Sequence, residues 1–204
     1  GRATAAGGAL DLERPALGRA LLRYLRGPEH PAKLRVVRAL GRWIFPPEGV
    51  VAPVEPGVRL RLHPRDWIES VLLRTGRYEP LTLRFLIANL APGDTVLLAG
   101  VHIGLHLVVA ARAVGPRGRV IGVEPQPASL RRATFNLALN DLDAPNVTLV
   151  PAALGDATAT TRMAWARTEH AAAASLLDDP AGGFEVRLLT AHELLAHQGV
   201  ERLR

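Results

Sequence analysis

Two apolar runs, with a glycine-bracketed loop and a helix-length apolar stretch between them, dominate the middle of the chain. The turn Ala91-Pro92-Gly93-Asp94 precedes the run Thr95–Ala99, which is short enough for a buried strand. The loop Gly100-Val101-His102-Ile103-Gly104 follows, then Leu105–Val114, a helix-length stretch that is apolar apart from His106 and Arg112 and predicts a helix. Gly115-Pro116-Arg117-Gly118 turns the chain again, and a second run, Val120 to Val123, ends on Glu124. Pro125-Gln126-Pro127 opens a further helix, since proline suits a first turn whose N–H is not needed. Its expected buried stripe is Leu130, Ala133, Leu137 and Ala138, with Asn140-Asp141 at its end, and residues 146–150 read as a third strand. The order β-α-β-α-β predicts an α/β fold with a parallel sheet joined by right-handed crossovers.

The flanks carry weaker patterns. Residues 15–26 set Leu17, Leu21, Leu22 and Leu25 against Arg19, Arg23 and Arg26, as a helix would. Residues 31–45 repeat the idea, with Leu34, Val37, Leu40, Trp43 and Ile44 against Arg35, Arg38 and Arg42. Pro46-Pro47-Glu48-Gly49 breaks the chain. Residues 58–63 alternate as a half-exposed strand, 66–74 predict a helix, and 76–80 turn into another helix over 81–90. Beyond the third strand, 160–166 and 184–189 look extended, and 191–198 form a last helix closed by Gly199. No internal repeat is present. The expected organisation is a basic helical segment over 1–50 and an α/β domain over 51–204.

Composition narrows the class. At 204 residues, 48% hydrophobic and 22% charged, the chain suits one well-buried domain with an appendage. It has no cysteine, which excludes disulfides and cysteine-ligated zinc. The formal charge of +6 is uneven: residues 1–84 hold 15 basic against 8 acidic side chains, and 85–204 hold 10 against 11. Attraction to anionic surfaces therefore belongs to the front. Lys33 is the only lysine among 25 basic residues, a bias that accords with a GC-rich genome and does not by itself indicate nucleic-acid binding. The arginine stripes read first as solvated helix faces; docking on RNA or a membrane surface is the sharper alternative. The front shows no signal peptide, and a cytoplasmic location is expected. Residues 95–111 are uncharged, but two histidines and two glycines interrupt them, as fits a buried strand and helix better than a membrane span.

The chemistry concentrates in the central stretch. Glycine lets a loop turn sharply while its backbone approaches a ligand, and Gly100 and Gly104 are placed for that. The following helix directs its N-terminal N–H groups into the same space. Glu124, twenty residues after Gly104, ends the next strand, where a carboxylate can accept both hydroxyls of a ribose. The other reading of Glu124 is a turn role before Pro125. The glycine spacing is G-x-x-x-G rather than G-x-G-x-x-G, which argues against a dinucleotide.

The phrases PGDTVLLAGVHIGLHLVVAARAVGPRGRVIGVEPQP, FNLALND and NVTLVPAALGD resemble the S-adenosylmethionine-binding half of an FkbM-type methyltransferase. RDWIESVLLRTGRYEP and the Ser175-Leu176-Leu177 segment resemble further parts of that family. The resemblance implies a Rossmann-like methyltransferase fold, here following the basic helical segment read above. It also implies S-adenosylmethionine as donor and methyl transfer to a hydroxyl, often of a sugar or natural product. Carried over by position, it implies that Gly100, His102 and Gly104 surround the methionine end. Glu124 would hold the ribose with Pro125 and Gln126 beside it, Ala152 and Ala153 would lie along the adenine, and Glu79 would sit near the mouth.

This sequence departs from the family's pattern in three ways. Leu98 stands where an aspartate is usual, and His102 where an asparagine is usual. A His102–His106 metal pair has no acidic or cysteine partner nearby in sequence, so no metal site is assigned. The sequence also stops where the family continues into a fourth strand, so the sheet is expected to lack its C-terminal strands. The first strand would then show an open edge for a homo-oligomer or protein partner to cover. The partners expected are thus a small-molecule acceptor and a cover for that edge. The alternative function is an inactive methyltransferase-like domain with a structural or assembly role.

Overall fold

A computed structural model describes residues 15–28, 30–33, 35, 45, 48–64, 66–142, 145–164 and 183–203. Most of the helix expected over 31–45, and the Ser175-Leu176-Leu177 phrase, lie outside the described residues. The chain divides into two units, one up to Tyr78 and one from Glu79, so residues 51–78 cluster with the front segment.

In the first unit, helix α1 (Pro15–Arg26) matches its expected span. Strands β1 (Val50–Val54) and β2 (Val58–Leu62) pair antiparallel in register from Val50↔Leu62 to Val54↔Val58. Their alternation buries Val50, Ala52, Val54, Val58, Leu60 and Leu62 on one face. β1 was not anticipated from sequence: Pro53 interrupts its apolar run, and in the structure that proline lies on the exposed face. Helix α2 (Trp67–Thr75) starts on Asp66, whose side chain accepts from the Glu69 N–H, and stops at Gly76 in the left-handed region (φ 69°). Arg26 Nη2 donates to the Pro53 carbonyl at 2.7 Å and its Nε to the Leu73 carbonyl at 3.2 Å, tying α1 to the hairpin and to α2.

The second unit begins with helix α3 (Pro80–Asn89). Strands β3 (Thr95–Ala99), β4 (Arg119–Val123) and β5 (Val147–Val150) then form a parallel sheet in the order β3-β4-β5. Register runs Thr95↔Arg119 to Ala99↔Val123 and Val120↔Val147 to Val123↔Val150. Among the described residues β3 has a strand neighbour on one side only. Helix α4 (Leu105–Val114) joins β3 to β4, and α5 (Pro127–Leu139) joins β4 to β5. Leu107, Val108, Ala110 and Val114 of α4 are wholly buried, so a large share of this unit's core energy rests there, at about 1.5–3 kcal/mol for each fully buried aliphatic side chain. Residues 95–111 are thus β3 and most of α4, and no helix among the described residues is long and apolar enough to cross a membrane.

The α5 stripe differs from expectation. Ala133 and Leu137 are buried, but Leu130 is half-buried and Ala138 exposed, while Ser129 and Asn136 are buried instead. The inward arc lies a little to one side of the purely apolar one, because both polar side chains find partners inside. A second sheet, β6-β8-β7, combines strand β6 (Ala153–Leu154) with β7 (Ala159–Ala164) and β8 (Gly183–Leu189). β8 and the last helix, α6 (Ala191–His197), contribute Leu189 and Leu194 to a core cluster with Ile121, Val123 and Ala152. Arg119 at the start of β4 anchors the chain just after α6 through bonds to the Gln198 carbonyl and side chain.

Candidate functional site

Parallel strands deliver their C-terminal ends to one edge of the sheet, and the loops there collect the residues singled out from sequence. After β3 the chain turns at Gly100 (φ 72°), whose N–H donates to the Val123 carbonyl at 2.8 Å. His102 adopts a left-handed conformation rare for a non-glycine residue (φ 49°), and Gly104 (φ 93°) leads into α4. The two glycines serve different ends. A Cβ at Gly104 would sit 3.2 Å from Ala133 Cα, so the bare backbone lets α5 pack against the loop. A Cβ at Gly100 would meet nothing within 4 Å, so that residue borders open space.

Glu124 closes the edge from the β4 side. It is 6% exposed, and both carboxylate oxygens accept backbone N–H bonds, Oε2 from His102 at 2.8 Å and Oε1 from Gln126 at 3.0 Å. It therefore fixes the glycine loop as well as ending its own strand. Burial raises its proton affinity above the ordinary carboxylate range, and the two N–H bonds oppose that shift. A carboxylate offers about four acceptor positions, so each oxygen keeps room for one more donor.

Gln126 is buried beside it, and its Oε1 accepts from Ser129 Oγ at 3.3 Å; Pro125 between them is half-buried. Ala152 is buried just after β5, its N–H bonded to the Val150 carbonyl, and Ala153 opens β6 half-buried. Gly100, His102, Gly104, Glu124, Pro125, Gln126 and Ala152 thus occupy the loops at one edge. Glu79 approaches from the start of α3: its Oε2 lies 3.3 Å from His106 Nε2 in the first turn of α4. His106 Nε2 has no hydrogen bond, and the contact becomes an ion pair only when the imidazole is protonated. Burial lowers the proton affinity of His106, and Glu79 pulls the other way.

Two supporting residues carried no assigned role in sequence. Asn136 is fully buried and donates from Nδ2 to the Ile103 carbonyl at 2.8 Å, holding the loop from α5. Gly122 in β4 leaves space beneath the loop, since a Cβ there would come within 2.9 Å of Val101 Cγ1. An asparagine three residues after Ala133 and next to Leu137, on the predicted apolar stripe, is the signal that could have marked Asn136.

The FkbM methyltransferase domain matches this chain over residues 99–203, just over half of its length. The chain belongs to that family. An FkbM domain here accounts for both the glycine loop and Glu124, which fall at its start. Among curated proteins, the arsenite methyltransferase of Halobacterium salinarum is 45% identical over 56 residues, 28% of this chain and 14% of that protein. The ribosomal protein L11 methyltransferase of Thiobacillus denitrificans is 36% identical over 104 residues, 50% of this chain and 32% of that protein. The FkbM chain therefore spans less than a third of the length of either relative. Among solved structures, a SAM-dependent O-methyltransferase from Thermotoga maritima shares 23% identity, with a TM-score of 0.35 over 52% of this chain and 46% of that one.

Proposed function

We propose that this FkbM chain binds S-adenosylmethionine and is a methyltransferase acting on an oxygen, such as a hydroxyl of a sugar or natural product. The observation that carries the reading is Glu124. It is a buried carboxylate at the C-terminal end of β4, clamped by two backbone N–H groups beside a glycine loop, with acceptor capacity left for the hydroxyls of a ribose. Open space at Gly100 suits close approach of the methionine end, and buried Ala152 offers an apolar wall for the base. When bound, S-adenosylmethionine supplies an electrophilic methyl group, and methyl transfer then depends mainly on positioning, with a base needed for a hydroxyl acceptor. No residue of this chain is assigned as that base.

Leu98 favours a second reading, a methyltransferase-like scaffold that binds no donor, because the end of β3 carries no carboxylate. Isothermal titration of S-adenosylmethionine into the purified protein separates the two. The donor reading expects saturable binding, and Glu124→Ala should weaken it by about 1.5–3 kcal/mol, the range for a hydrogen bond to a charged group. A folded protein that evolves no heat would leave the scaffold reading, and unchanged affinity in the variant would remove the ribose assignment.

A further inference from the structure

Two different elements pin the glycine loop at two successive residues. His102, in its left-handed conformation (φ 49°), gives its N–H to Glu124 Oε2 at 2.8 Å, just after β4. Ile103 is buried, and its carbonyl accepts from Asn136 Nδ2 at 2.8 Å, on α5. A strained backbone of this kind persists only where its surroundings hold it, and a buried carbonyl is costly without a donor. Asn136 is itself wholly buried, so it is not a contact surface for a ligand. Two further bonds continue from it. Asn140 Nδ2 donates to the Asn136 carbonyl at 2.7 Å, and Asn140 Oδ1 accepts from Arg112 Nη2 at 3.0 Å, in the last turn of α4. The chain Arg112–Asn140–Asn136–Ile103 thus runs from the end of α4, along α5, back to the loop that opens α4. It ties both ends of α4 to α5.

The consequence falls on Glu124. Its carboxylate is turned by its two backbone bonds, to the N–H groups of His102 and Gln126, and that orientation decides where its remaining acceptor positions face. The His102 bond holds only while the peptide units around residues 102 and 103 keep their angles. Glu124 fixes the unit before this pair of residues, and Asn136 fixes the unit after it. We propose that Asn136 is a positioning residue for donor binding: through the Ile103 carbonyl it keeps the His102 N–H on Glu124, and so keeps Glu124 turned toward the ribose hydroxyls. The assignment rests on the donor-binding reading and adds a residue that never meets the ligand. Asn140 and Arg112 act one and two links further away, and their effects should fall in that order.

The test separates positioning from stability. Asn136→Leu keeps the bulk and removes the donor. Leu137→Ala truncates a buried apolar side chain on the same helix and leaves the bond to Ile103 in place. Isothermal titration is expected to show S-adenosylmethionine bound about tenfold more weakly by Asn136→Leu, as loss of one buried hydrogen bond would give. Leu137→Ala should keep wild-type affinity although its melting temperature falls. Hydrogen exchange without ligand supplies a second readout. In Asn136→Leu the His102 amide should exchange faster while the Val108 amide, bonded to the Gly104 carbonyl, keeps its rate; general destabilisation would move both. Should Asn136→Leu fail to fold, Asn140→Ala tests the next link, with a smaller loss of affinity and the same selective change at His102. Wild-type affinity or an unchanged His102 amide in the variant used would overturn the proposal and leave the donor reading standing. So would an equal loss of affinity in Leu137→Ala. A wild-type protein that binds no S-adenosylmethionine removes the donor reading and this one together.

Discussion

Glu124 joins structure to chemistry at a single residue. Its carboxylate satisfies the backbone N–H groups of His102 and Gln126, so it positions the loop on one side and the start of α5 on the other. Its burial also makes stability depend on pH. The folded protein holds the Glu124 proton above its ordinary value of 4.5. The stabilisation from that residue is therefore fully present below about pH 4.5 and is lost as pH rises through the raised folded value. His106 has the opposite sign. Its folded value is lowered from 6.5, so its contribution is present above that pH and is lost as pH falls through the folded value. Melting temperature measured across pH should show both trends. Glu124→Gln should flatten the first and His106→Gln the second; parallel curves for wild type and variants would contradict the assignments. Neither direction was legible in sequence, because the burial of these side chains is set by tertiary packing.

At the scale of elements, the loop of residues 100–104 divides its work between two glycines. Gly104 is structural: alanine there places a Cβ 3.2 Å from Ala133 Cα in a backbone that L-residues avoid. The expected cost to unfolding free energy is about 1–3 kcal/mol. Gly100 is open, so alanine costs only the conformational strain of about 1–2 kcal/mol, while its methyl enters the space assigned to the ligand. Denaturant titration together with ligand titration should therefore give a less stable Gly104→Ala and a Gly100→Ala that loses binding out of proportion to stability. Both glycines, the strand before them and the helix after them were legible because apolar runs and turn residues mark their ends. Other elements were not. Pro53 concealed β1, although a proline on an exposed strand face is compatible with pairing. β6 has only two residues, too few for any period, and exists because its ladder to β8 closes it. On α5, Ala138 is exposed, against expectation, because Asn136 and Ser129 take inward positions that hydrophobicity alone assigns to apolar residues.

At the scale of the whole molecule, every residue assigned to the ligand falls between Glu79 and Ala153, inside the second unit. Ligand that binds the folded state adds RT ln(1 + [L]/Kd) to its stability, about 2.7 kcal/mol at a hundredfold excess over Kd. That free energy should appear where the contacts form. Hydrogen exchange with and without S-adenosylmethionine is expected to show slowed exchange at the amides of residues 100–106, including the His102 N–H that Glu124 holds, and at Gln126. Amides of the β1-β2 hairpin report on whether the stabilisation is confined. The hairpin's ladder belongs to the first unit and contains none of the assigned residues. Protection that rises first in the hairpin, with residues 100–126 unchanged, would place the ligand elsewhere and separate the glycine loop and Glu124 from donor binding, whatever the affinity measured by titration.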